Sequence, residues 1–258
     1  MAVLTAILTH LRAQSVREQF DFAQQVAPES RFVVCYGGGR EEFARLDGSV
    51  EALFIDDPTL RVPHHDRSYL GLLQTLYNSC VRDDPRVELV YLLEYDHLIL
   101  SAEFETRLTQ LAARSDAGLL GKAAGRRNDT NWPHFTRYRN HDGFADFIAR
   151  VSRRDDPEDR YGCLGTGMLF RREAIEALAS VENPPQVYWE LIVPTLVHHL
   201  GFDVADVDAF GDLYLDVRWR PEYTVDQVAQ ARRQGRVFVH PFKDFDRFDS
   251  LRTALANP

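Results

Sequence analysis

Glu88-Leu89-Val90-Tyr91-Leu92-Leu93, running without a break into Glu94-Tyr95-Asp96, is the stretch on which the reading of this chain turns. Six residues of mostly apolar, β-prone character predict a buried strand, and the acidic triplet stops it. A strand this apolar is buried on both faces, which is the habit of parallel sheets covered by helices. The neighbouring sequence supports the same architecture. Ala2–Thr9 and Arg31–Tyr36 read as strands, the second ending in Gly37-Gly38-Gly39. Glu51–Ile55 reads as a third, ending in Asp56-Asp57-Pro58. Between them Val16, Phe20, Ala23 and Ala27 recur at helical spacing, as do Tyr69, Leu72, Leu73, Leu76, Tyr77, Cys80 and Val81. Phe104, Leu108 and Leu111 mark another helix and Gly118–Leu120 another strand. Strand–helix alternation predicts an α/β fold with a mostly parallel central sheet and flanking helices.

In such sheets ligands bind beyond the carboxyl ends of the strands. Here those ends carry His10, the three glycines, Asp56 with Asp57, and Glu94-Tyr95-Asp96. Two carboxylates one residue apart, on a chain that turns at the strand's end, can reach one hard divalent cation such as Mg2+ or Mn2+. Late in the chain, Arg236–Val239 reads as a strand, followed by His240-Pro241-Phe242-Lys243. An imidazole there can ligate a metal and a lysine can meet a phosphate. The glycine run after the second strand lacks G-x-G-x-x-G spacing, so it is read as a turn. His64-His65 and His198-His199 are read as surface or core-edge pairs.

The second half changes character. From Lys122 to Arg160 strand signal is scarce and Arg, Asn, Asp, His and aromatic residues are abundant, which predicts a long functional loop that is mobile without ligand. A short helix is expected at Gly143–Val151, and a strand (Met168–Phe170) and helix (Arg172–Ala179) follow Gly165-Thr166-Gly167. Pro184-Pro185 breaks the chain before a helix around Tyr188–Leu200, which Pro194 is expected to kink. Trp189-Glu190 opens that helix, and a carboxylate there can serve as a general base.

Composition narrows the function classes. The chain has 258 residues, 45% hydrophobic and 27% charged, which is the profile of a folded domain. Its 30 Lys+Arg against 39 Asp+Glu give a net charge of -9, which argues against a duplex-DNA binder and predicts no nucleic-acid partner. No apolar run reaches the ~18–20 residues of a transmembrane helix. Cys35, Cys80 and Cys163 show no metal or redox spacing, and three scattered cysteines fit a reducing, cytoplasmic setting.

Taken in order, these features resemble a GT-A type glycosyltransferase. Tyr91-Leu92-Leu93-Glu94-Tyr95-Asp96-His97 is similar to that family's D-x-D region, with Glu in place of the first Asp. Gly165-Thr166-Gly167-Met168-Leu169-Phe170-Arg171-Arg172-Glu173 resembles its glycine strand and following helix, and Trp189-Glu190 stands where its acidic base motif falls, with Leu191 in place of the usual Asp. His240 resembles the late metal histidine. The resemblance implies a single GT-A (Rossmann-like) domain over 1–258. A nucleotide-sugar half would cover 1–121 and a smaller acceptor-side, catalytic half 122–258. It implies a hexosyltransferase-like enzyme dependent on Mn2+ or Mg2+. A sugar would move from a nucleoside diphosphate sugar to a glycan, lipid-linked or small-molecule hydroxyl, with inversion. Glu94, Asp96 and His240 would hold the metal and Glu190 would be the base. His10, Asp56, Asp57, Tyr95 and Lys243 would contact the donor. Trp132, His134, Gly165, Thr166, Gly167 and Trp189 would form the acceptor side. Two alternatives stand beside it. A nucleotidyltransferase shares the α/β core, but Thr9-His10-Leu11-Arg12 stands where its glycine-rich basic loop would follow the first strand. A non-catalytic nucleotide- or sugar-binding module would need no base.

Overall fold

The computed structural model describes residues 2–46, 48, 50–57 and 68–256. His64 and His65 lie outside the described residues. Strands β1 (Ala2–Thr9), β2 (Arg31–Tyr36), β3 (Ala52–Phe54), β4 (Val87–Glu94), β5 (Leu98–Ile99), β6 (Leu119–Gly121), β7 (Gly125–Arg126), β8 (Tyr161–Gly162), β9 (Met168–Arg171), β10 (Val204–Asp206) and β11 (Phe238–Val239) alternate with helices. The helices are α1 (Ala13–Val26), α2 (Arg40–Ala44), α3 (Leu70–Leu76), α4 (Phe104–Ala112), α5 (Pro133–Tyr138), α6 (Asp142–Val151), α7 (Arg172–Ala179), α8 (Trp189–His199), α9 (Val225–Arg233) and α10 (Phe248–Ala256).

Seven strands form the central sheet in the order β10-β6-β9-β4-β1-β2-β3. All neighbours are parallel except β9, which runs antiparallel to both β4 and β6. This mixed, mostly parallel α/β sheet with helices on both faces is consistent with a GT-A, Rossmann-like architecture. The apolar run of β1 explains itself here. Leu4, Ala6 and Leu8 join the core formed with α3, α7 and α8. Val3 and Ile7 point to the opposite face, into the core formed with α1 and α4. Alternation along a strand covered on both sides leaves no polar face to show in the sequence. Helix α7 keeps its predicted bounds, and the strands deviate by a residue or two.

The segment from Lys122 to Arg160 carries the helix expected at Gly143–Val151, which is α6, and also a short helix that was not expected, α5. Phe135, Tyr138, Phe144, Phe147 and Ile148 are buried in the core beside α8. Two expectations are corrected. The amphipathic helix that begins after Tyr69 gives way after Leu76 to a wider π-helical turn, Tyr77–Val81. The proline-containing helix α8 continues as one element through Pro194. Pro194 has no N–H for the carbonyl four residues back. That carbonyl belongs to Glu190, and the Cys163 N–H occupies it instead at 3.1 Å.

Candidate active site

The carboxyl end of β4 turns sharply, with the His97 N–H closing onto the Glu94 carbonyl at 3.0 Å. The turn brings Glu94 and Asp96 to one side. The short antiparallel pair β5–β11 then delivers His240, because it fixes the residue that follows β11 beside the residues that precede β5. The Phe242 N–H donates to the Asp96 carbonyl at 2.8 Å and ties the two segments directly. One ligand atom each from Glu94, Asp96 and His240 lie within 4.8 Å of one another.

The chemistry of these three groups asks for a cation. His240 Nδ1 lies 2.6 Å from the Arg218 carbonyl, which can only accept, so Nδ1 carries the proton. The ring's other nitrogen, Nε2, faces Asp96 Oδ1 at 3.2 Å. That Oδ1 is buried without a hydrogen-bond donor. A buried carboxylate oxygen without a donor is costly, and a cation shared with Nε2 would satisfy it. A histidine whose far nitrogen is pinned by a carbonyl is also the usual arrangement of a metal ligand. Burial, and then the neighbouring Asp96 carboxylate, push the Glu94 carboxyl above its ordinary range. A divalent ion would reverse that, so the three residues fit the metal implied by the sequence. Lys243 Nζ, 3.6 Å from Asp96 Oδ2 and 3.9 Å from Glu222, adds a half-exposed positive charge at the same place.

Beneath the ligands lies a buried polar chain. The Glu94 N–H donates to the Thr166 hydroxyl at 3.1 Å, and that hydroxyl meets His97 Nδ1 at 3.0 Å. His97 Nε2 meets the Tyr91 hydroxyl at 3.1 Å, Tyr91 bonds Tyr214, and Tyr214 donates to the Gly167 carbonyl at 2.8 Å. Every bond is satisfied if His97 is neutral with its proton on Nε2. Burial, and then the nearby His240, lower the His97 pKa and favour that form. Gly167 sits at φ +72°, where a side chain would also strike Tyr214.

Glu190 faces the same cleft from the first turn of α8. Its Oε1 accepts from the Gly165 N–H at 2.7 Å, and its Oε2 lies 3.6 Å from His134 Nε2. Both ends of Glu190 are thus held by the segment Cys163–Gly165, the backbone by Cys163 and the side chain by Gly165. Burial is the main influence on the carboxyl and raises it to about 7, against the Gly165 hydrogen bond. A carboxyl poised there suits a general base.

The cleft that joins these groups offers about 240 Å³ and is lined on one side by Thr9, His10, Cys35 and Gly37 from the ends of β1 and β2. Glu94, Tyr95, Asp96, His240 and Lys243 form its middle, with Tyr69, Tyr188 and Glu190 opposite and Trp219, Arg220 and Glu222 at the rim. His10 and Tyr95, in edge contact at 5.0 Å, both line it. Asp56 and Asp57 do not. Asp56 is exposed and pairs with Arg40, and the Asp57 carboxylate packs on Gly71 in the first turn of α3. The acceptor side is likewise rearranged. Trp189 is fully buried against Tyr69 at 4.6 Å, so its ring belongs to the core. Thr166 and Gly167 are buried in the polar chain, and Gly165 acts through Glu190. Trp132 sits under the Arg127 guanidinium and over Gly162, behind the cleft. His134 stacks on Tyr188 at 4.1 Å and reaches Glu190. Tyr188, Trp219 and Arg220 escaped the sequence reading. Tyr188 could have been found from its place directly before Trp189-Glu190.

No protein-family model matches the chain, and no curated protein matches it. Among solved structures, an active-site mutant of LgtC aligns with 100% of this chain and 97% of its own at 13% identity and a TM-score of 0.44. The mannosyltransferase PcManGT from Pyrobaculum calidifontis, in complex with GDP-Man and Mn2+, aligns over 79% of this chain and 54% of its own (14% identity, TM-score 0.39). A cytidylyltransferase from Leptospira borgpetersenii aligns over 80% and 74% (14% identity, TM-score 0.40). These are likenesses of overall shape, and the functional argument rests on the site itself.

Proposed function

We propose that this chain is a metal-dependent glycosyltransferase of the GT-A type, moving a sugar from a nucleoside diphosphate sugar to an acceptor hydroxyl with inversion. The observation that carries the reading is the convergence of Glu94, Asp96 and His240 in the cleft that Glu190 also faces. Those three residues would hold Mn2+ or Mg2+. When bound, the cation supplies Lewis-acid neutralisation of charge on the departing diphosphate. Lys243 adds a second positive charge beside it. The ends of β1 and β2, with His10 and Tyr95, would seat the nucleoside.

Glu190 does the proton work in this reading. The Gly165 N–H fixes Oε1, which leaves Oε2 to accept the proton of the acceptor hydroxyl. As that proton leaves, the acceptor oxygen bonds to the anomeric carbon and the bond from that carbon to the diphosphate oxygen breaks. The attack comes from the face opposite the leaving group, hence inversion. Residues 1–121 would supply most of the donor side, while His240 and Lys243 would reach it from the half 122–258 that also carries Glu190. No helix among the described residues is long and apolar enough to cross a membrane.

The test is a thermal-shift screen of UDP-, GDP-, CMP- and dTDP-sugars with Mn2+ or with EDTA. A donor at about 100 times its dissociation constant should add about 2.7 kcal/mol of stability. The shift should need Mn2+ and vanish in Asp96→Asn. Equal shifts in EDTA would remove the metal, and release of inorganic pyrophosphate from a nucleoside triphosphate would favour the nucleotidyltransferase.

A further inference from the structure

The loop between Asp216 and Tyr223 is braced from every side except one. The Arg218 N–H donates to the His240 carbonyl at 3.1 Å, and the His240 N–H donates to the Asp216 carbonyl at 3.0 Å. Tyr223 bonds Asp216 through its hydroxyl at 2.8 Å and the Pro241 carbonyl through its N–H at 2.8 Å. The Arg218 guanidinium lies over the Tyr223 ring at 3.9 Å and donates to the Pro221 carbonyl at 2.9 Å. None of this uses Trp219, which stands 73% exposed. A large aromatic side chain left in water on a rigid loop contributes nothing to folding that its neighbours do not already supply. Its position is specific: it lines the rim of the cleft that contains Glu190 and the three metal-ligand candidates. Arg220 stands next to it, 5.1 Å from the indole and on the same rim. Arg220 has no carboxylate partner among the described residues, in a chain with a net charge of -9.

An exposed indole offers a flat face to the C–H side of a pyranose ring, and a guanidinium offers a fork to a carboxylate or phosphate. We propose that Trp219 and Arg220 form a binding subsite for the acceptor, and that the acceptor is a saccharide carrying an acidic group beside the ring that stacks on Trp219. The proposal rests on the glycosyltransferase reading for the word acceptor, but not for the binding itself. The donor's anionic part already has a place on the metal ligands and Lys243. The rim is the part of the cleft still open once that place is filled, so the partner that enters second meets Trp219.

Matched sugars test it. Of the three tryptophans, Trp189 is buried and Trp132 half-buried, so the emission lost in Trp219→Phe reports the exposed one. Methyl glucosides and galactosides, and the corresponding methyl uronides, are titrated into the wild-type chain while that emission is followed. The uronides should quench it with at least tenfold tighter binding than the neutral sugars. Trp219→Ala should abolish sugar binding by calorimetry, Trp219→Phe should restore most of it, and Arg220→Ala should erase the preference for the acidic ring. Quenching by nucleoside diphosphates alone would assign the pair to the donor and overturn the proposal, as would no quenching by any sugar. Failure of the enzyme reading looks different: sugars would bind Trp219 while no donor shifts the melting temperature with or without Mn2+.

Discussion

Glu190 carries its own pH signature. Its carboxyl ordinarily titrates near 4.5 and here near about 7, because it is buried. A base must be ionised to accept a proton, so transfer should rise with pH through about 7 and level off above it. Glu190→Gln should keep donor affinity and lose rate by a factor on the order of 10²–10⁴. Stability moves the other way. The folded chain holds this proton more tightly than the unfolded chain, so the contribution is fully present below about pH 4.5 and is lost as pH rises through about 7. Urea melts at about pH 5 and about pH 8 should show a smaller difference in Glu190→Gln than in the wild type. Such acids were legible from the sequence because a strand end and a helix start place them, and the residues beside them announce it. Trp189 was not legible: an aromatic beside an acidic residue at a helix start reads the same whether it faces the cleft or the core. Alternation of side chains around a helix decided it, and nothing local in the sequence reveals the helix's rotation.

At the scale of elements, the strands of the first half were legible because apolar runs ended in turn chemistry. What was not legible is the direction of β9. Its four residues pair antiparallel with both β4 and β6, a matter of the chain's path that no local pattern carries. Nor does the two-residue strand β5 rise above background, although its pairing with β11, which the sequence did show, delivers His240. In the segment holding α5 and α6 only the second helix was legible, because the apolar residues are spaced among arginines and aspartates. Those charges sit on the outer face, and Phe144, Phe147 and Ile148 on the inner. The expected consequence is measurable. Amide exchange in the free protein should be slow through Phe144–Ile148, close to the rate of α8, and fast only in the connections. Uniformly fast exchange there would restore the expectation of a loop that is mobile without ligand. Helix α8 offers a sharper test of how an element positions a residue. Pro194→Ala supplies an N–H that competes with Cys163 for the Glu190 carbonyl. Transfer should fall several-fold while the unfolding free energy stays level or rises, since a proline inside a helix costs about 3 kcal/mol relative to alanine.

For the molecule as a whole, one cleft gathers residues from nearly every part of the chain. The ends of β1 and β2 form one wall, the turn after β4 the floor, α8 the far wall, and the segments around residues 220 and 240 the rim. An acidic protein is an uncongenial host for an anionic donor, and the cations at this cleft are few and local. That balance predicts strong dependence on the metal: with EDTA present, raising donor concentration should fail to restore the thermal shift, and Lys243→Ala should weaken donor binding by roughly tenfold even with Mn2+. Isothermal titration of a nucleoside diphosphate with and without Mn2+ measures both.

The pairing of β5 with β11 also sets a schedule. Asp96 is synthesised long before His240, and the Phe242 N–H that seals the two segments follows later still. A chain emerging from the ribosome can therefore complete its first parallel strands and still present only two carboxylates to the cations around it. In the proposed reading the third ligand exists only once residue 240 has been made and β11 has paired with β5, so a chain stopped before that point should hold Mn2+ more weakly than one that carries His240.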